Sequence, residues 1–362
     1  MIPAETYAPS FLVKVNNRDL QHGKTLEVTT VSVTDVANQA DSFTFTIQDR
    51  NPQPGHFSGG PELKWMDSGE FDEGTEVEIS MGYVNNLEFM LRGDITAVSA
   101  SFPGNGAPTL TVRGFSLYHR LQRRRRREPF EASTDSGIAQ EIATSMNISA
   151  EVDATDVEHP LVSPNDMTYA AILTQRAQRI GYEVVVKDKT LYFQKPRYLE
   201  SPSPVLALEW GKNLQNFSPS LTTHNMNTSV TVRASQTSQG QGTDAIVGEA
   251  SGGDERVKLG SSTGPQIAAE IFGENPVLSE DHQAASQQEA NELATAQLEA
   301  RAMEFISGSG ACIGNPRLKA RMVIKLEGLG KRFSGKYYIT SATHTITASG
   351  YRTTFQAKRN AR

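Results

Sequence analysis

Apolar and polar positions alternate along much of the first 115 residues. In Ser42–Ile47 (SFTFTI), Phe43, Phe45 and Ile47 share one face, and threonines take the other. Successive side chains of a strand point to opposite faces, so this period of two predicts half-buried antiparallel strands. Such strands are predicted at residues 11–15, 26–36, 41–49, 76–83, 88–102 and 109–115. Gly-, Pro- and Asn-rich turns separate them, so residues 1–128 are expected to form a small β-barrel.

The spacing between apolar residues becomes longer after residue 133. Apolar residues four positions apart from Ile138 to Met146 predict a three-turn helix, with Asp135 or Ser136 as its N-cap. The change from period two to this spacing marks the start of a different structural unit.

A second helix and a hairpin follow in the same unit. The helix is predicted over residues 165–181, with Asn165 or Asp166 as N-cap and Gly181 at its end. The segment 182–195 predicts two strands that turn at Asp188 and Lys189. Residues 129–198 are therefore expected to form a small α/β module.

The remaining chain returns to strands and contains one interruption. Strand patterns at 205–235 and 317–359 predict a second β-barrel built from residues 199–235 and 310–362. Between them, residues 236–309 are expected to form a peripheral insertion. Its first part, 236–266, is Gly- and Ser-rich and predicts a loop, and its second part predicts a helix that Ser286 and Glu289 open as a capping box. This helix is expected to end near residues 307–310.

The two β regions resemble each other. Residues 93–114 and 336–359 both run strand, turn, strand, with a Thr-rich first strand and a basic residue near the end of the second. This weak repeat suggests one barrel built twice. The predicted fold is mainly β with α+β insertions: two similar antiparallel β-barrels, a small α/β module and a helical and loop insertion.

Composition narrows the function classes. The chain has 362 residues and a formal net charge of -6, and its only cysteine is Cys312, which excludes an internal disulfide. No apolar stretch reaches 18 residues, and the N-terminus lacks the pattern of a signal peptide. We therefore expect a chain made in the cytosol, without membrane insertion.

No catalytic or metal-binding pattern stands out. The histidines lack the spacing of metal ligands, and His344, within a strand, is expected to face solvent or a neighbouring subunit. They are His22, His56, His119, His159, His224, His282 and His344. We expect a protein that is not an enzyme and needs no cofactor or metal.

Five consecutive arginines form the most unusual segment. In an extended chain, Arg123, Arg125 and Arg127 project to one side and Arg124 and Arg126 to the other. Neither side can enter an apolar core, so the run is expected to leave the first barrel as an exposed connector.

The arginine run permits two readings. A nucleic-acid site would use the guanidinium groups as phosphate contacts, but the chain is acidic, no aromatic residue interleaves with the run, and Glu128 and Glu131 follow it. A solvated connector that meets water or acidic partners is the other reading.

The surroundings of this run resemble the phage late control protein D family, which forms tail hubs of contractile phages and the hub portion of VgrG spike proteins. The resemblance rests on Leu117, Leu121, Thr134, Asp135, Ser136, Ile138 to Ala143, the helix and hairpin of residues 165–193, and Tyr338, His344, Gly350, Tyr351 and Phe355. These motifs are individually degenerate, and their order along nearly the whole chain carries the resemblance.

The resemblance implies a structural hub of a phage tail or a phage-like injection system. Three chains with two barrels each would form a pseudo-six-fold ring, a symmetry adaptor between a six-fold inner tube and a three-fold spike. Because the sequence ends at Arg362, the spike is expected to be a separate protein. Assembly is expected in the bacterial cytoplasm, and the final position is the baseplate, beside other baseplate proteins.

An interface for the arginine run is the remaining expectation. The run is expected to lie at a subunit or baseplate interface and to face carboxylates such as those of Asp67 to Glu78. The candidate interface residues are Arg120, Arg123, Arg124, Arg125, Arg126, Arg127, Asp67, Glu70, Asp72 and Glu73. Two alternatives stay open: a nucleic-acid-binding assembly factor that uses Arg123 to Arg127, and a carbohydrate-active β-protein.

Overall fold

The structure is a computed structural model that describes residues 8–20, 27–49, 63–224, 226–236, 244–280, 284 and 286–362. Three of the histidines named above, His22, His56 and His282, lie outside the described residues. Strands predominate over helices, as the alternating sequence pattern predicts. No helix within the described ranges is long and apolar enough to cross a membrane.

The first β unit contains the strands predicted for it. They are β1 (Pro9–Val15), β2 (Arg18–Asp19), β3 (Val28–Val36), β4 (Ser42–Gln48), β5 (Glu76–Tyr83), β6 (Asn86–Ser101) and β7 (Thr109–Ser116). The alternation places Phe43, Phe45 and Ile47 in the core, each at most 1% exposed, together with Ile79 and Met81. The threonines of β4 lie on the opposite face and remain partly exposed.

The α/β module follows. Its elements are α1 (Tyr118–Arg123), β8 (Phe130–Thr134), α2 (Asp135–Ser145), β9 (Ser149–Val152), β10 (Glu158–Val162), α3 (Tyr169–Ile180), β11 (Glu183–Lys187), β12 (Thr190–Gln194) and α4 (Arg197–Glu200). The hairpin β11–β12 turns at Asp188, which has a φ of 53°, and α3 ends at the left-handed Gly181, as predicted.

Both predicted N-caps in this module were wrong by one to three residues. Thr134 caps α2 by accepting a hydrogen bond from the backbone N–H of Gly137, and Thr168 caps α3 in the same way. Asp135 instead enters the helix and forms a buried ion pair with Arg176. Asp166 lies in a left-handed turn before α3. The choice among neighbouring polar residues depends on contacts beyond the helix.

The second β unit begins with β13 (Leu206–Glu209) and β14 (Leu214–Leu221), and the insertion follows. The insertion contains β15 (Ser229–Gln236), β16 (Asp244–Ser251), α5 (Gly264–Phe272), β17 (Pro276–Glu280) and α6 (Gln287–Ala302). Ser286 caps α6 by accepting from the N–H of Glu289. The three strands form their own sheet, in which β15 lies between β16 and β17. The sheet of the insertion therefore begins before residue 236.

Two predictions for the insertion were wrong. Part of the Gly- and Ser-rich segment 236–266 is the strand β16, because Gly248 lets α6 pack directly on it: an added Cβ would lie 2.1 Å from the Ala290 backbone. The helix α6 ends at Ala302 rather than near 307–310. Small residues there form a barrel strand instead.

The second β unit is completed after the insertion. Its remaining elements are β18 (Ile306–Ile313), β19 (Val323–Glu327), α7 (Gly330–Phe333), β20 (Gly335–Thr347) and β21 (Gly350–Arg359). Its core contains Leu208, Ile306, Leu326, Tyr337 and Ile339, each at most 1% exposed. Pairing is antiparallel except between β13 and β19, which run parallel.

The two β units have the same strand order. The first runs β3-β4-β7-β6-β5-β1, and the second runs β14-β18-β21-β20-β19-β13, each in the same succession along the chain. A β-bulge interrupts the β3–β4 pair and also the β14–β18 pair, and another interrupts both β6–β7 and β20–β21. Strand order and two bulges thus repeat together, far more specifically than the weak sequence repeat, although β1 runs antiparallel to β5 whereas β13 runs parallel to β19.

A single strand pair joins the two units. β20 of the second unit lies antiparallel to β3 of the first, so both units share one 13-stranded sheet. The outer face of this junction carries hydroxyl groups: Thr34 and Thr343 lie 3.0 Å apart, and Ser32 and Thr345 lie 3.1 Å apart.

Candidate functional site

The arginine segment begins at the end of the first β unit, where α1 leaves β7. Arg120 donates two hydrogen bonds to the buried carboxylate of Asp94, at 2.7 and 2.8 Å, and His119 Nε2 lies 2.8 Å from it. Burial acts to raise the pKa of Asp94, but the hydrogen bonds from His119 and Arg120 outweigh it and hold the pKa below its ordinary value. Of the candidate interface residues, Arg120 is therefore already paired with a carboxylate of its own chain.

The α/β module engages three further arginines. Arg125 donates to the backbone carbonyl of Asp166 at 2.6 Å, and Arg127 donates to the Asp166 carboxylate at 3.1 Å. Arg126 donates to Glu141 at 2.5 Å and stacks 3.9 Å above the ring of Phe130. Sequence reasoning missed the hydrogen-bond partners Asp166 and Glu141, which lie 15 to 41 residues away along the chain.

The arginines of the run differ in exposure: Arg126 is partly enclosed, and the other four are exposed. Arg126 is the most enclosed, with 18% of its side chain exposed, whereas Arg127 is 82% exposed although it has an ion-pair partner. Arg123 and Arg124 are exposed, and no ion pair of theirs is found within the described ranges. Exposed pairs contribute roughly 0–1 kcal/mol, so the ion pairs of Arg125 and Arg127 add little to stability.

The predicted acidic counterparts lie on the chain before β5. Asp67, Glu70, Asp72 and Glu73 are all exposed. Within the part of the chain that the structure describes, none of them pairs with the arginine run. The structure therefore does not bring the two halves of the candidate interface together within one chain.

A buried polar cluster lies where the two β units and the α/β module meet. Asp35 of β3 accepts a hydrogen bond from the backbone N–H of Ala320 at 3.1 Å and lies 3.6 Å from the ammonium group of Lys187 in β11. Burial and the charge of Asp35 raise the pKa of the neighbouring Asp41 well above its ordinary value. Asp41 therefore keeps a proton at a pH where an exposed aspartate has lost it.

A second buried contact fastens the α/β module to the second β unit. Glu183 of β11 accepts from Arg321 Nε at 3.0 Å and from the Tyr338 hydroxyl at 2.5 Å. The side chains of Glu183 and Arg321 are 7% and 5% exposed. Removing one member of such a pair leaves an uncompensated buried charge, which makes the contact a strong positional constraint.

The expectation for His344 was wrong. His344 is fully buried, at 0% exposure, and bridges Tyr351 and the backbone of Leu318. The Leu318 carbonyl can only accept, so Nε2 carries the proton and Nδ1 accepts from the Tyr351 hydroxyl, both at 2.9 Å. Burial lowers the pKa of His344 to about 4.

The lone cysteine is buried in the second β unit. Burial raises the pKa of Cys312 to about 12, and the residue lies within strand β18. No group of three metal-ligating side chains occurs in the described ranges. A cleft of about 940 Å³ between α3 and α6 has charged walls, and the pair Arg179–Glu289 crosses it at 2.6 Å. This pairing joins the α/β module to the insertion.

The shared sheet has open edges. β14 pairs with β18, and apart from a bridge between Leu214 and Trp210 its other edge has no strand partner among the described residues. The second half of β6 pairs with β7, whereas β5 follows β6 only as far as Asp94. Beside this free edge, Val98 is 37% exposed and Phe102 is 64% exposed.

Comparisons with known proteins give one family and one fold. Residues 6–348 match the family described as the Alg8 N-terminal domain. No curated protein matches the chain. The 43 kDa tail protein of prophage MuSo2 from Shewanella oneidensis is 12% identical, with a TM-score of 0.69 and coverage of 97% of this chain and 98% of that one.

Two further structures share this fold. The tail protein from Neisseria meningitidis MC58 is 15% identical, with a TM-score of 0.69 and coverage of 98% of this chain and 97% of that one. The E. coli c3393 protein is described as a type VI secretion component similar to the T4 tail proteins gp27 and gp5. It is 10% identical, with a TM-score of 0.59, and the match covers 97% of this chain and 77% of that one. The chain therefore has the fold of tail-hub proteins, as the sequence resemblance predicted.

Proposed function

The chain belongs to the Alg8 N-terminal domain family and has the tail-hub fold, and from this fold we propose that it is a structural hub of a phage tail, tailocin or phage-like injection system. The observation that carries the proposal is the duplicated β unit, with one strand order and two matching bulges. Its role is to hold other proteins in register through large interfaces, without catalysis or a cofactor.

The duplication supports a homotrimer. Three chains with two equivalent units each present six similar surfaces, although the true symmetry is three-fold. One side of such a ring fits a six-fold inner tube protein, and the other fits a separate three-fold spike protein. The α/β module and the insertion leave the β units as additional bodies, and we assign them to contacts with other baseplate proteins.

The exposed arginines are proposed as one of these contact surfaces. Arg123 and Arg124 extend from the exit of the first β unit, and the acidic residues Asp67 to Glu73 are exposed elsewhere on the same chain. Opposite charges on separate parts of one chain suit contacts between copies or with charged neighbours. A nucleic-acid partner is less favoured because Arg125, Arg126 and Arg127 already bind groups of the α/β module.

Mass and symmetry test the proposal directly. The purified chain is measured by light scattering, alone and with its tube and spike proteins, and the assemblies are averaged in electron images. We expect a mass of three chains and a ring with three-fold symmetry. A strict monomer under all these conditions, or a ring without three-fold symmetry, would overturn the proposal. Assembly is expected in the bacterial cytoplasm, before incorporation into the baseplate.

A further inference from the structure

An amine and two carboxyl groups that are far apart in the sequence meet between the first β unit and the α/β module. Asp35 lies in β3, Asp41 directly precedes β4, and Lys187 is the last residue of β11. Lys187 Nζ is 3.6 Å from Asp35 Oδ2, and Asp35 and Asp41 are 5% and 6% exposed. We propose that Lys187 and Asp35 form an isopeptide bond, an amide between their side chains, and that Asp41 transfers the protons of this reaction.

The two oxygens of the Asp35 carboxylate have different surroundings. Oδ2 faces Lys187 and accepts a hydrogen bond from the backbone N–H of Ala320 at 3.1 Å. Oδ1 is buried, and the described residues offer it no donor apart from the carboxyl group of Asp41, which is hydrogen-bonded to Asp35. Oδ1 is therefore the oxygen that can leave with a proton from Asp41, while Oδ2 can remain as the amide oxygen.

Asp41 is held in position to supply this proton. Its backbone N–H donates to Ser116 Oγ at 3.1 Å, and its Oδ1 accepts from the N–H of Val36 at 3.0 Å. Burial and the charge of Asp35 raise the pKa of Asp41 well above its ordinary value. Two ionised carboxylates cannot hydrogen-bond to each other, so one proton lies between Asp41 and Asp35. A carboxyl group that keeps its proton beside an ionised one can act as a general acid.

Contacts on both sides of Lys187 fix β11 against the first β unit. The N–H of Val184 donates to Asn38 Oδ1 at 2.8 Å, and Arg92 pairs with Asp188 at 2.7 Å. Groups that a fold holds in contact can react as if their concentration were about 10⁵ M or more. Such proximity favours the amide over the separate amine and acid.

The charges around the cluster also favour the amide. Burial and the charge of Lys187 lower the pKa of Lys319, so the two ammonium groups are close enough to repel each other. Amide formation removes one of these ammonium groups and the buried charge of Asp35. A buried charge carries a desolvation cost even when it is paired, and a neutral amide avoids that cost.

The reaction releases one water and needs no oxidant. Asp41 gives its proton to Asp35 Oδ1 and receives one from the Lys187 ammonium group, which leaves a neutral amine. The nitrogen lone pair then forms a bond to Asp35 Cγ, and the C=O electrons move to Oδ2, where the N–H of Ala320 stabilises the charge. Asp41 protonates Oδ1 and takes the extra proton from the nitrogen. The bond between Cγ and Oδ1 breaks, water leaves, and the double bond to Oδ2 forms again.

The bond would join β3 of the first β unit to β11 of the α/β module. The two parts would then stay connected when denaturant removes every non-covalent contact between them. Bond formation requires a single folded chain and no other protein. The isopeptide proposal and the hub proposal can therefore fail separately.

Intact mass under denaturing conditions tests the bond. The full chain is purified, incubated at neutral pH and measured by mass spectrometry. We expect a mass one water below that of the sequence. Trypsin should not cut after Lys187, and digestion should release residues 25–50 joined to residues 180–189. A wild-type chain with the full mass of its sequence, or a bond located on Asp41 by fragmentation, would overturn the proposal.

Two variants test the assigned roles, each with circular dichroism as a check of folding. Lys187→Arg keeps a positive charge beside Asp35 but cannot form this amide, so it should have the full mass of its sequence. Asp41→Asn keeps the size of the side chain but removes the acidic proton, and the rate of linkage should fall about a hundredfold or more. A mass one water too low in Lys187→Arg, or an unchanged rate in Asp41→Asn, would contradict these roles.

The chain contains a matched control. The side chain of Lys14 is 36% exposed, as is that of Lys187, and Lys14 Nζ lies closer to a carboxylate, at 3.0 Å from Glu78. Hydrogen bonds from Arg92 and Lys14 lower the pKa of Glu78, so this carboxylate is bound to cations and not to a carboxyl group. We expect no link between Lys14 and Glu78 in the same digest. A link there would show that proximity alone is sufficient, and would overturn the role of Asp41.

Discussion

The buried histidine makes the stability of the chain depend on pH in a predictable way. The fold holds His344 neutral, with a pKa of about 4, whereas an unfolded histidine has a pKa of about 6.5. Between these values, the unfolded chain binds a proton that the folded chain does not. The contribution to stability is therefore fully present above pH 6.5, falls as the pH drops toward 4, and is constant below that.

The size of the effect follows from the two pKa values. A difference of about 2.5 pKa units corresponds to a limit of roughly 3 kcal/mol at about 1.4 kcal/mol per unit. At pH 5, the expected loss is about 2 kcal/mol relative to pH 7. Asp35 favours the protonated form and Lys319 opposes it, but burial is the largest influence.

The assay compares the wild type with His344→Gln, because carboxylate titrations elsewhere then cancel in the difference. Urea unfolding is followed at pH 7, 6, 5 and 4.5. The wild type should lose about 2 kcal/mol more than the variant between pH 7 and pH 5. An equal loss in both proteins would refute the assignment of His344 as a buried neutral group. Unchanged imidazole resonances between pH 7 and pH 5 would support it independently.

Three further predictions concern the unit junctions and the arginine segment. Glu183→Ala should lower the free energy of unfolding by about 3–5 kcal/mol because Arg321 stays buried without its partner, and Glu183→Leu/Arg321→Met should recover most of this in the same urea assay. The stability of the wild type relative to Asp41→Asn should fall as the pH rises through the raised pKa of Asp41, because all other titrations cancel in this difference; a difference that does not change with pH would argue against the protonated carboxyl. Arg123→Glu/Arg124→Glu should weaken assembly in light scattering and keep the circular dichroism of the wild type, whereas full assembly would return these arginines to the role of a solvated connector.

The predicted strands were largely confirmed because their alternation is strong and local. Phe43, Phe45 and Ile47 entered the core as the pattern indicated. The same signal could have located His344, which shares its phase with the buried Ala342 and Ile346 in β20. The Gly- and Ser-rich composition predicted a loop where the structure has the strand β16. A glycine such as Gly248, which lets a helix pack closely on a strand, cannot be told from a loop glycine in the sequence.

The partners of the arginines could not be read from the sequence. Arg126 meets Glu141 and Arg127 meets Asp166 because the α/β module folds back over the connector. Many carboxylates were available at similar distances along the chain. Only the packed helices select among them, because an ion pair requires atoms to approach within a few ångströms.

By itself, the sequence determined which residues face inward on each strand, where the α2, α3 and α6 helices lie, and the resemblance to tail hubs. These follow from periodicity, capping and turn chemistry, which act over a few neighbouring residues. The tertiary structure alone decided that β20 pairs with β3, more than 300 residues away, and that β6 and β14 keep open edges within the described part of the chain. Which strands pair over such long distances depends on which sheet edges come together when the chain packs. The local sequence pattern of a strand does not specify its partner.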